Sequence, residues 1–237
     1  MKSISEIQKD LKRYSEIFGF DANVITQGSD EWKQMKLGVI SASNASKILL
    51  GRGGKTTKTR DGYINELVGQ ILTREMAFIS GRPLDWGHEN ELAARKIASF
   101  ETGIEIHEVP VIFKDDSLRC LCSPDGYGER PIEIKCPWTT QVYINFLCRG
   151  EIKPEYIDQV QYSMWVAGAE SWTFANYDPR MSVKPFHSVL IERDEKIMAR
   201  FDNEVPIFIN EMDEMLAMAG VKFGHQWHKE NLTIEVV

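Results

Sequence analysis

The residues with the clearest chemical potential lie mid-chain: Ser123-Pro124-Asp125-Gly126 and, after a short turn, Ile132-Glu133-Ile134-Lys135. Side chains alternate along a strand, so Glu133 and Lys135 share one face while Ile132 and Ile134 point into the core. Asp125 ends the preceding strand, across the hairpin from them. Two carboxylates and an ammonium therefore converge on one sheet face, where unpaired charge is costly to bury. A hard divalent cation removes that cost, and Mg²⁺ accepts carboxylate oxygens while keeping waters and substrate phosphate in its shell. A lysine beside it can hold or polarise an attacking water and stabilise charge developing on phosphorus. The competing reading is a turn-capping Asp125 and a solvated Glu133–Lys135 ion pair. The Pro-Asp word and the alternating isoleucines favour a site.

Strands and helices must hold these groups in place. Glu105–Lys114, Leu118–Cys122 and Pro131–Cys136 read as three short strands, with turns at Asp115-Asp116 and Asp125-Gly126. Ahead of them, Ile4, Ile7, Leu11, Tyr14 and Phe18 mark a helix over 4–18. Ser29 reads as the N-cap of a short helix through Met35, and Ser41 or Ser43 as that of another through Leu49. A glycine-rich basic loop, Gly51–Lys58, precedes helices at about 61–77 and 88–102. Helical patterns return at about 139–149 and 155–168, then strands at Trp172–Tyr177 and His187–Glu192, then a long helix from Asp194. The expectation is a single α/β (α+β) domain over 1–237, with a central mixed sheet flanked by helices.

Composition narrows the class. The 237 residues carry 28 Lys+Arg against 35 Asp+Glu, a net charge of −7, with 43% hydrophobic residues. That is globular composition, and the acidic balance excludes a protein that coats nucleic acid by bulk charge. It leaves room for basic groups confined to a channel. No apolar run is long enough to span a membrane. The acid-containing amphipathic N-terminus and four cysteines suggest reduced thiols in a cytoplasmic setting. Gly54-Lys55-Thr56 lacks the first glycine of a P-loop, since position 49 is Leu, and Cys120-x-Cys122 has the wrong spacing for zinc.

Pro124-Asp125…Glu133-x-Lys135 matches the PD-(D/E)xK nuclease signature, and longer words surround it. Cys122–Gly126, Lys135-Cys-Pro137, Gln159–Trp165, Phe174–Met181, Ile191–Lys196 and Phe223-Gly-x-Gln-Trp227, with Gln27-Gly28 and Leu37–Ile40, resemble the phage lambda exonuclease (YqaJ-type viral recombinase) family. The resemblance covers about residues 25–228, leaving 1–24 as an added N-terminal helix. It implies a restriction-endonuclease-like core and a processive 5′→3′ exonuclease on double-stranded DNA ends, releasing 5′-mononucleotides and leaving 3′ tails. It implies Asp125, Glu133, the Ile134 carbonyl and Glu91 as ligands of two Mg²⁺ ions, Mn²⁺ substituting, with Lys135 and Gln159 catalytic. Glu89 and Gln161 are alternatives to Glu91 and Gln159. Lys36, Ser43 and Arg52 fall where the family binds the terminal 5′-phosphate, and Leu84 where an apolar wedge parts the strands. Lys36 and Gln141 stand where the family carries arginine and a basic residue. The implied partners are a DNA end bearing 5′-phosphate, two further copies in a homotrimer, and a phage-type single-strand annealing protein, in a bacterial or phage-infected cell.

Overall fold

The computed structural model describes residues 1–51, 53–77 and 81–228. Ser3 opens helix α1 (Ile4–Phe18) with a capping box: its hydroxyl accepts from the Glu6 N–H while the Glu6 carboxylate accepts from the Ser3 N–H. The helix ends at left-handed Gly19 and buries Ile7, Leu11, Tyr14 and Phe18 against the rest of the chain. Residues 1–24 are thus part of the main core. Ser29 caps α2 (Asp30–Lys36) through the Trp32 N–H.

Strand β1 (Ile40–Ser41) runs into a 3₁₀ helix, Ala42–Lys47, where an α-helix through Leu49 was expected. Ser41 makes no cap there, because its hydroxyl lies 3.2 Å from Ser43 Oγ and accepts from Asn44. Helix α3 (Lys58–Thr73) starts earlier than the periodicity suggests, since Thr57 caps it. Helix α4 (Arg82–Thr102) likewise starts early, on Pro83.

The expected strand Glu105–Lys114 pairs in two places. His107 bridges Tyr127, and β2 (Ile112–Phe113) pairs antiparallel with β3 (Cys120–Cys122). Pro110, with no N–H to give a ladder, separates them. Side chains serve the freed carbonyls instead: Gln27 donates to Val109 at 2.9 Å and Trp32 to Pro110 at 2.9 Å.

The expected central sheet is divided in two. One sheet has the order β1-β3-β2, with β1 parallel to β3. The other comprises β4 (Ile132–Lys135), β5 (Ser171–Tyr177) and β6 (Phe186–Glu192), with β4 parallel and β6 antiparallel to β5. A bridge between Gly126 and Ile132 links the chain after β3 to β4. Helices α5 (Thr140–Arg149) and α6 (Pro154–Ala167) connect β4 to β5. The last helix, α7 (Glu195–Met218), is capped by Asp194 and buries Met198, Phe201, Val205, Phe208, Met212 and Leu216.

Two hydrophobic clusters result. The large one gathers α1, α3, α6, α7, the first sheet and Trp172 and Phe174 of β5. The small one packs Ala94 and Ala98 of α4 on Ile132, Ile134, Ala175, Tyr177 and Phe186 of the second sheet. No described helix is long and apolar enough to cross a membrane.

Candidate active site

Alternation along β4 places Glu133 and Lys135 as the sequence requires. The Lys135 Nζ donates to Glu133 Oε1 at 2.6 Å and to Gln159 Oε1 at 3.1 Å, and Gln159 Nε2 donates to the same Glu133 oxygen at 2.6 Å. This triangle joins β4 to the face of α6, and Glu133 is 4% exposed. Gln161, two residues on, faces elsewhere: it donates to the Glu192 carbonyl and accepts from the Asp194 N–H, fastening α6 to the start of α7.

Asp125 approaches from the edge of β4. Odd-numbered backbone groups there face β5, as in the Thr173 N–H to Pro131 carbonyl bond of 2.8 Å. Even-numbered ones face outward, where Ile132 bridges Gly126 and the Ile134 N–H donates to Asp125 Oδ2 at 2.6 Å. The Ile134 carbonyl leaves the strand on that same side, beside Asp125. Gly126 makes the approach possible: a Cβ there would lie 2.2 Å from Ile106 Cγ2 and 2.9 Å from Ile132 Cγ2. The Asp-Gly word thus serves close packing rather than the expected turn.

The electrostatics match crowded carboxylates. Burial pushes the Asp125 pKa well above the ordinary value, Glu133 and Glu91 push it further, and Lys135 and the Ile134 N–H pull back. Burial disfavours the Lys135 ammonium, but Glu133 and Asp125 outweigh it and its pKa is raised. Lys135 is therefore a cation at any physiological pH. Among the described residues no three His, Cys, Asp or Glu side chains form a closed metal cage. Asp125 and Glu133 with one carbonyl instead fit an ion that keeps waters and takes phosphate oxygens, as Mg²⁺ does.

Asp125, Ile134 and Lys135 line a cleft of about 430 Å³. One wall is α4, contributing Pro83, Leu84 and Glu91; the opposite wall carries Trp138, Lys153 and Tyr156. Leu84 is 41% exposed at the rim. Glu91 faces the cleft while paired with Arg95 at 3.1 Å, whereas Glu89 is exposed and does not line it. Lys135 and Lys153 lie 5.0 and 5.4 Å from the ring centroid of Tyr156.

Lys36, at the end of α2, lies within electrostatic reach of Glu133. Its ammonium rests 3.7 Å from the Trp32 ring centroid, and burial lowers its pKa to about 8, opposed by Glu133. Ser43 is exposed on the 3₁₀ segment, which packs against the Gln159 helix. Arg52 lies outside the described residues. Cys120 and Cys122 are buried free thiols, and burial pushes Cys120 up to about 12.

A clamp behind the Trp138 wall escaped the sequence reading. Asp178, fully buried, holds Arg180 through two bonds of 2.7 and 2.9 Å. Arg180 donates to the carbonyls of Pro137 and Trp138 at 3.0 and 2.9 Å, and its guanidinium covers Trp86 at 4.6 Å. Trp86 meets Trp138 edge-on at 5.9 Å. The fork in Asp178-Pro179-Arg180 was the available signal, though its targets lie some forty residues upstream. Asn176, buried on the cleft floor, was also missed.

The geometry has counterparts in known proteins. An alkaline exonuclease from Laribacter hongkongensis, LHK-Exo, superposes with a TM-score of 0.73 at 31% identity, covering 81% of this chain and 96% of that one. Its complex with dAMP matches equally, at 32% identity. A phage-related exonuclease from Haemophilus somnus 129PT shares the fold at 16% identity, with a TM-score of 0.62 over 76% of this chain and 96% of its own. ExoD of Escherichia coli (strain K12) is 59% identical over 76 residues, which is 32% of this chain and 87% of ExoD. The YqaJ-like viral recombinase domain matches residues 31–170, with Asp125, Glu133, Lys135 and Gln159 inside that span, and the chain belongs to this family.

Proposed function

We propose that this protein is a Mg²⁺-dependent exonuclease that degrades double-stranded DNA from its 5′ ends, releasing 5′-mononucleotides and leaving 3′ single-stranded tails. The carrying observation is the Glu133–Lys135–Gln159 triangle beside Asp125, whose Lys135 and Asp125 line a cleft shared with Leu84, Trp138 and Lys153. The likeness to LHK-Exo supports the reaction class.

Asp125, Glu133 and the Ile134 carbonyl would hold one cation, and Glu91 would add to a second. Divalent cations in such a site activate water and neutralise charge on the leaving oxygen. The chain's own residues do the rest. Two Lys135 N–H groups are engaged by Glu133 and Gln159, which leaves the third to orient the attacking water. Gln159 donates to Glu133 and accepts from Lys135, so one side chain tethers both the carboxylate and the ammonium. Lys36, Ser43 and Arg52 would receive the terminal 5′-phosphate, which sets the distance to the scissile bond, while Leu84 would part the terminal base pair.

The reading extends to a homotrimeric ring that keeps its DNA by topology, and to a single-strand annealing partner that receives the 3′ tail. Digestion of end-labelled linear duplex in Mg²⁺, with 5′-phosphate and 5′-hydroxyl ends, tests it. The expected result is mononucleotide release dependent on Mg²⁺ and faster from phosphorylated ends. Cutting of covalently closed circles, or 3′-terminal release, would overturn it.

A further inference from the structure

Beside Lys135 lies a buried polar group that the reaction described above does not use. Asn176 on β5 stands in register with Lys135, so the two side chains leave the sheet on one face. It is 3% exposed, lines the cleft floor, and its Oδ1 has no hydrogen-bond partner among the described residues. A buried acceptor without a donor calls for a physical reason.

The reason lies on Glu133. Its Oε1 accepts from both Lys135 and Gln159 at 2.6 Å, and a divalent cation on either carboxylate oxygen repels the ammonium held beside it. Lys135 is the donor that leaves, because it is cationic and Gln159 is neutral. The neighbouring strand is one sheet spacing away, about 4.8 Å, well within the sweep of a lysine side chain. The free acceptor on it is Asn176 Oδ1.

We propose that Asn176 is the positioning residue that receives the Lys135 ammonium once a divalent cation occupies Glu133, keeping a proton of that ammonium aimed into the cleft. The two states exchange one acceptor for another, so Lys135 never stands unpaired on the floor. The proposal rests on the metal-dependent reading of the site.

Calorimetric titration of Mg²⁺ and Mn²⁺ into the DNA-free protein tests it. Asn176→Leu, which matches the volume and removes the acceptor, should weaken cation binding about tenfold or more. Asn176→Asp should bind more tightly than wild type, since its acceptor is charged. In the wild type, the Asn176 side-chain amide resonance should shift as the cation saturates, a readout independent of any variant's folding. Equal affinity in wild type and a folded Asn176→Leu variant, or an unmoved Asn176 resonance at saturation, would overturn the proposal alone. Absence of cation binding to the wild type would overturn both the proposal and the metal-dependent reading.

Discussion

The two three-stranded sheets share one pairing scheme, a parallel and an antiparallel contact, yet sit in opposite surroundings. In β1-β3-β2 every strand residue is buried, and the polar content is Ser41 and two neutral thiols. In β4-β5-β6 the buried set includes Glu133, Thr173 and Asn176, Lys135 is half-buried, and β6 alternates between covered and exposed positions. The first sheet lies wholly in the large core; the second gives that core Trp172 and Phe174, and has a small apolar cluster on the α4 side with a polar cleft beside it. The first sheet therefore serves packing alone, whereas the second combines packing with the candidate site, and the Gly126–Ile132 bridge joins them.

That division can be broken by substitution. Asp125→Ala should lower hydrolysis by about 10²–10⁴-fold while a cooperative thermal transition persists, because relief of a disfavoured charge offsets the lost Ile134 hydrogen bond. Loss of folding in this variant would erase the distinction between the sheets. Phe201→Ala, in the large core, should do the reverse. It should cost about 3–5 kcal/mol of stability in urea denaturation, with turnover per folded molecule unchanged.

Arg180→Ala falls between the two. It leaves buried Asp178 without its partner and frees the Pro137 and Trp138 carbonyls, which should cost about 1–3 kcal/mol. Binding of DNA ends should weaken as well, since the Trp138 wall loses its anchor; an unchanged binding titration would show that the clamp is scaffold alone.

The smallest effect is a pH dependence. The Lys36 pKa is lowered to about 8, so its ammonium is lost as pH rises through that value. The kcat/KM ratio of 5′-phosphate to 5′-hydroxyl ends, which reports the free enzyme, should decline several-fold above pH about 8. Lys36→Arg, cationic throughout, should keep the ratio flat. A wild-type ratio independent of pH would place Lys36 outside the phosphate pocket.

What was legible in the sequence was what local rules govern. Period-two alternation put Glu133 and Lys135 on one face, helical spacing found the buried stripes of α1 and α7, and Ser29 and Asp194 marked helix starts. Longer-range geometry was not legible. Pro110 breaks a strand whose carbonyls are then served by Gln27 and Trp32, about eighty residues earlier. The resemblance favours Gln159 over Gln161, but the partners that distinguish them lie on other elements and leave no local signal. Arg180 and Asn176 act through loops and strands distant in the chain, and no spacing within a helix or strand announces such contacts.

The open side of β4 has one more consequence, for handling the protein. Past Ile132 this edge has no partner strand among the described residues, and a bare strand edge is a template for another chain. Asp125 blocks it by taking the Ile134 N–H, and Pro137 ends the ladder two residues after Lys135. The acid proposed to bind the cation therefore also satisfies a donor on the β4 edge. Inactive protein for concentrated work is better made as Asp125→Asn, whose amide oxygen still accepts from Ile134, than as Asp125→Ala, which leaves that buried donor unsatisfied.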